Sequence, residues 1–109
     1  MKTGDIVLMP FPFAEFTNRK VRPAAVVCET KDAYKDLVLC AMSSVVPPKP
    51  TENEILLTID KENRLRKDSV LKIARIVTAK EKDIIACIGK LSETDLKNFK
   101  KKFRNLIDD

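Results

Sequence analysis

Two segments constrain this chain more than any others: Arg22-Pro23-Ala24-Ala25-Val26-Val27-Cys28-Glu29 and Asp36-Leu37-Val38-Leu39-Cys40-Ala41-Met42. Each is apolar at consecutive positions, so as a strand it is apolar on both faces and reads as a central strand. The polar Thr30-Lys31-Asp32-Ala33-Tyr34-Lys35 between them reads as a turn. Proline at position 23 pushes Arg22 toward extended backbone and is tolerated at a strand's first residue, so the strand starts here. Arg22 therefore sits on stiff backbone at the rim of a core, just after Arg19 and Lys20. A cation held that way suits anion chemistry. A hairpin centred between Asp32 and Ala33 places Arg22 opposite Ser43, with Cβ atoms about 4.5–5.5 Å apart. A slip of one residue would turn one of the two to the other face.

The remaining segments are also mostly β-type. Residues 4–9 form a short strand that Pro10 and Pro12 are expected to end, leaving Phe11 and Phe13 to be buried. Residues 14–21 read as a polar loop, and 45–51, rich in proline, as a stiff connection. Residues 54–59, 68–78 and 84–89 read as further strands, and 60–67 as either a helical turn or an irregular connection. Ser92 then reads as an N-cap, with Glu93 and Asp95 in the first helical turn. Leu96, Phe99, Phe103, Leu106 and Ile107 follow at helical spacing and give one apolar stripe. The lysines beside it, Lys97 and Lys100 to Lys102, read as a solvated face, with nucleic-acid contact the alternative. Six short strands and a terminal helix suit a small, strongly bent antiparallel sheet or barrel capped by that helix.

Composition narrows the chemistry. A chain of 109 residues supports one domain, expected over 1–109, with a modest core. No apolar run approaches a membrane span and no signal-peptide pattern opens the chain, which makes the cytoplasm the expected compartment. Cys28, Cys40 and Cys87 are odd in number, lie far apart among apolar residues, and are expected to be buried free thiols. The absence of histidine removes the commonest general base and the commonest metal ligand together. A net charge of +5 points either to a polyanionic partner or simply to a lysine-rich surface.

The order of these pieces resembles the PemK/MazF family of toxin–antitoxin ribonucleases. The likeness lies in Gly4-Asp5-Ile6-Val7-Leu8, Pro10-Phe11-Pro12-Phe13, Arg22-Pro23-Ala24-Ala25-Val26-Val27, Ala41-Met42-Ser43-Ser44, Asp68-Ser69-Val70-Leu71-Lys72 and Ile88-Gly89-Lys90-Leu91-Ser92. It covers essentially the whole chain. The resemblance implies an SH3-like barrel with a C-terminal helix, a homodimer, and metal-independent cleavage of single-stranded RNA without a cofactor. It also implies a cognate antitoxin whose flexible acidic segment covers the RNA groove.

By the same resemblance, Arg22 and Ser43 are the catalytic pair, and Thr17, Asn18, Arg19, Lys20, Ser44 and Lys72 are expected RNA contacts. Serine at 43 stands where the family usually has threonine, and Lys72-Ile73-Ala74 stands where some members carry Arg-x-Asp. Glu15, in the loop before Arg22, is a candidate general base. The competing expectation is a non-catalytic nucleic-acid- or protein-binding module of the same fold, including a gyrase-poison-like toxin. A DNA-binding repressor ranks last, for want of a recognition-helix pattern.

Overall fold

The computed structural model describes residues 1–11 and 20–108. In chain order its elements are β1 Asp5–Phe11, β2 Lys20–Glu29, β3 Leu37–Ser43, β4 Glu54–Leu57, β5 Ser69–Ala79, a 3-10 turn at Glu81–Asp83, β6 Ala86–Lys90 and α1 Glu93–Asn105. The strands make one antiparallel sheet in the order β4-β5-β3-β2-β1-β6. β2 and β3 lie inside it, as their two-sided apolar pattern requires. The expected small barrel is present as a curled half-barrel with a single C-terminal helix.

Each face of the sheet carries its own core. On one face Ile6, Ala25, Cys40, Met42, Ile55, Leu57, Leu71 and Ile73 pack with Leu65, Leu91 and Phe99 of α1. On the other, Val7, Met9, Ala24, Val26, Leu37, Leu39 and Ala41 cluster. The strict alternation of these two sets along β1, β2 and β3 is the period-two geometry of a strand.

The largest of the register shifts bends the sheet. Between Cys40, paired with Ile76, and Met42, paired with Leu71, β5 spends five residues where β3 spends two. A long excess on one strand bends it sharply. At the far side, the loop after β4 meets β6: Lys90 N–H donates to the Glu62 carbonyl at 3.0 Å. Gly89 permits this approach, because a Cβ there would fall on the carbonyl oxygens of Glu62 and Asn63.

That loop is the irregular alternative, built from turns around fully buried Asn63. Asn63 Nδ2 donates to the Thr58 carbonyl at 2.8 Å, and its Oδ1 accepts from the Asp60 and Leu65 N–H groups. Arg64 turns left-handed, φ 53°, to close it. On α1, Ser92 Oγ accepts from Asp95 N–H at 3.2 Å, the expected N-cap. Gly4, φ +92°, leaves room for Leu96 of the helix. No helix among the described residues is long and apolar enough to cross a membrane.

Several expectations need correction. Strand β1 does not end at Pro10 but runs to Phe11, and β2 starts at Lys20, two residues before the expected Arg22, because Phe11 and Pro10 pair with Lys20 and Val21. The Leu8 carbonyl faces β6, where it accepts from Ile85 N–H at 2.8 Å. Pro10, two residues on, points to the same side, but β6 pairing reaches only Leu8. Its missing N–H thus costs no ladder bond. Pro12 and Phe13 lie outside the described residues. Strand β4 stops at Leu57 and β6 begins at Ala86, each two residues inside the expected span. Ile107 leaves the helical stripe: it follows the end of α1 and is 84% exposed.

Only one cysteine is buried. Between Val26, paired with Leu39, and Cys28, paired with Val38, β2 carries one extra residue. This β-bulge turns Cys28 away from the face of Ala24 and Val26. Cys87 is exposed on the edge strand β6. Cys40 is enclosed, with its thiol donating to the Ile73 carbonyl at 3.4 Å, and burial pushes its pKa up to about 12. Thiolate is the reactive form. A thiol-reactive dye should therefore modify two cysteines in the native protein and the third only in denaturant; three fast native thiols would contradict this core.

Candidate nucleic-acid interface

Arg22 lies two residues before Ala24 on β2, and Ser43 two residues after Ala41 on β3. Ala24 opposes Ala41, Ala25 opposes Cys40 and Val26 opposes Leu39. This is the register that a centre between Asp32 and Ala33 requires. Continued by two residues, it sets Arg22 against Ser43, on the face that carries Ala24 and Ala41. Arg22 also opposes Met9 of β1, and Ser43 opposes Val70 of β5, which in turn opposes Leu56 of β4. One row therefore crosses five strands: Met9, Arg22, Ser43, Val70, Leu56. Met9 and Val70 are buried, Arg22 and Ser43 half-buried, and Leu56 exposed. Spaced about 4.8 Å per strand, the row puts one cation and one hydroxyl between apolar supports.

The rows on either side add charge. Lys20 is two residues before Arg22 on β2, hence on the same face, and is exposed. Lys72 is two residues after Val70, alternating with the buried core residues Leu71 and Ile73. It therefore shares the face of Ser43 and is half-buried. Lys20, Arg22 and Lys72 thus flank one hydroxyl along a single sheet face, a layout that fits a phosphodiester chain laid across strands. Ser44 is exposed just beyond β3. Thr17, Asn18, Arg19 and Glu15 lie outside the described residues.

The hydrogen bonds at Ser43 set its polarity. Its Oγ accepts from Val45 N–H at 3.1 Å. A hydroxyl has one donor and two acceptor sites, and among the described residues the O–H meets no acceptor, so it can donate outward. Arg22, a permanently charged planar fork, can present two parallel N–H groups to a phosphate.

Sequence reasoning missed one residue of this face, Glu54, which opposes Lys72. Its Oε1 accepts from Thr51 N–H at 2.8 Å. That bond and then the Thr51 hydroxyl hold the carboxyl below its usual range against desolvation, with the Lys72 charge adding a smaller push the same way. The i, i+3 spacing of Thr51 and Glu54 was a local signal for the turn, but nothing in the sequence gives the β4–β5 register.

A surface depression of about 620 Å³, bordered by Lys2, Cys28, Lys31 and Lys35, lies at the opposite end of the β2–β3 hairpin. Neither Arg22 nor Ser43 lines it. A polymer substrate runs along an open face and needs no such hollow, so the register defines the candidate site. Among the described residues no group of three or more His, Cys, Asp or Glu side chains is placed to hold a metal ion.

Residues 2–107 match the family model described as PemK-like, MazF-like toxin of type II toxin-antitoxin system. A comparison with curated proteins finds no match. With nearly the whole chain matched, half-barrel and helix included, the protein belongs to the PemK-like, MazF-like toxins of type II toxin–antitoxin systems.

Proposed function

We propose that this toxin is an endoribonuclease that cleaves single-stranded RNA by in-line attack of a 2′-OH on the adjacent phosphate. A bond forms from the 2′ oxygen to phosphorus as the 2′ proton leaves. The bond from phosphorus to the 5′ oxygen breaks, and that oxygen gains a proton. The products are a cyclic phosphate and a 5′-OH end. Because the nucleophile belongs to the substrate, the reaction proceeds without a metal ion.

The protein's part is to hold the three atoms in line and to stabilise a phosphorane with extra negative charge. Arg22 donates to its nonbridging oxygens, and Ser43 donates its free O–H to the same centre. Lys20 and Lys72 hold the neighbouring phosphates. The β2–β3 register supports this reading: its Ala24–Ala41 pairing, continued by two residues, sets a guanidinium against a hydroxyl on one face. A type II toxin has an antitoxin as its partner. In our reading that partner lays a flexible acidic segment over the same basic face, and the toxin acts as a homodimer.

The test is incubation of the purified protein with single-stranded RNA in EDTA. Fragments with 5′-OH ends are expected, and Ser43→Ala should slow their appearance by about 10²-fold, the usual effect of losing one such donor. Intact RNA that remains bound would replace the nuclease with a binding module.

A further inference from the structure

The face that carries Arg22 and Ser43 continues across β5 onto β4, and there it presents a polar pair that cleavage leaves partly unused. Glu54 and Lys72 are directly opposed and both half-buried. Cross-strand partners of this kind have Cβ atoms about 4.5–5.5 Å apart. Glu54 is fixed in place by Thr51, whose N–H donates to Oε1 at 2.8 Å and whose carbonyl accepts from Glu54 N–H at 3.1 Å. The two charges do not close on each other. Among the described residues the only charged pair within 4.0 Å is Lys97 with Glu93, on α1. Among the described residues, the second carboxylate oxygen of Glu54 and the ammonium of Lys72 both keep open hydrogen-bonding capacity.

The pair therefore offers one open carboxylate oxygen, beside an Oε1 shared with Thr51 N–H, next to one cationic donor on an anchored backbone. Unstacked RNA bases are read on their exposed edges. Guanine presents two adjacent donors, N1–H and the N2 amino group, beside the acceptor O6. Adenine, cytosine and uracil present no two adjacent donor groups. Glu54 lies two strands and one two-residue step from Ser43, about 12 Å by sheet spacing. That places it at a base neighbouring the reacting phosphate, too far for the phosphate itself.

We propose that Glu54 and Lys72 select guanine beside the scissile phosphate, Glu54 accepting from N1–H and N2–H and Lys72 donating to O6. The inference rests on reading this face as one that cleaves RNA. It makes Glu54 a specificity residue and gives Lys72 a base contact in addition to its charge.

Binding tests it independently of cleavage. Short fluorescent 2′-fluoro oligouridines have no 2′-OH and cannot be cut. Each carries one guanine, inosine or adenine, moved through the strand, and affinity is read by anisotropy. Inosine lacks only the N2 amino group. The unmutated protein should bind the guanine strand about 10-fold or more tightly than the adenine strand at one position, with inosine weaker than guanine. Glu54→Gln keeps an oxygen for Thr51 N–H but sets a donor against the guanine donors, and should erase the preference.

Equal affinity for all three strands overturns the proposal, and needs no variant to show it. So does a guanine preference that survives in Glu54→Gln. The same strands made as RNA separate the two readings. Guanine preference without any cleavage keeps the pair and removes the nuclease; cleavage without guanine preference does the reverse.

Discussion

Arg22→Ala should lower the cleavage of single-stranded RNA by about 10²–10³-fold, equivalent to ~2.7–4 kcal/mol of transition-state stabilisation. The size follows from what the side chain does. The phosphorane carries more negative charge on its nonbridging oxygens than the ground-state phosphate, so a fixed cation gains energy as the reaction proceeds. Lys20 and Lys72 lie on the same face but one two-residue step away along their strands; in the proposed mechanism they hold flanking phosphates, whose charge does not change. Lys20→Ala and Lys72→Ala should therefore weaken RNA binding and its salt dependence more than the chemical step. Arg22→Lys keeps the charge but loses the planar fork, and should recover only part of the rate. Single-turnover rates at saturating protein measure the chemical step, and filter binding measures affinity. The fold should survive, because Arg22 is only half-buried at the rim. Wild-type cleavage by Arg22→Ala would remove this residue from the site.

How far this site could be read in advance depended on two strands. Their apolar residues on both faces required β2 and β3 to be central, and the polar Asp32 region required a turn between them. The register came out right at Ala24 and Ala41 for a reason the sequence does not show. Near the turn, Glu29 opposes Leu37 and Cys28 opposes Val38, a ladder that without interruption would set Arg22 against Ser44. The extra residue at Val27 shifts it back by one, and that register, continued past Ala24 and Ala41, sets Ser43 against Arg22. The same bulge brings Cys28 to the surface, against the expectation of a buried thiol.

Glu54 was out of reach altogether. A loop, not a tight hairpin, joins β4 to β5, and β5 then gains three residues against β3. No turn rule or hydrophobic period counts through either feature, so the register that pairs Glu54 with Lys72 is visible only in three dimensions. Pro10 misled for a different reason. A proline breaks a ladder only where its N–H would have been used, and the open side of β1 beyond Leu8 does not use it.

The helix supplies the sharpest test of stability, because two residues that look alike in its stripe behave in opposite ways. Phe99 is 1% exposed and packs into the core on the face opposite Arg22 and Ser43, with Phe103 tilted against it at a ring-centroid distance of 6.2 Å. Phe99→Ala should destabilise the protein by about 3–5 kcal/mol through lost transfer energy and the cavity left behind. Small domains hold only about 5–15 kcal/mol in total, so this is a large share, and the melting temperature should fall by more than ~10 °C. Ile107, beyond the end of α1 and 84% exposed, has no such packing to lose. Ile107→Ala should change stability by less than about 0.5 kcal/mol. Urea unfolding of both variants followed by circular dichroism separates them. Equal effects would mean that α1 does not seat Phe99 in the core. The contrast also bears on function, since α1 backs the face opposite Arg22 and Ser43. At temperatures where Phe99→Ala remains folded, its RNA cleavage should stay within a few-fold of the unmutated protein, while Arg22→Ala, fully folded, stays slow. Stability and chemistry are then separated on the two faces of one sheet.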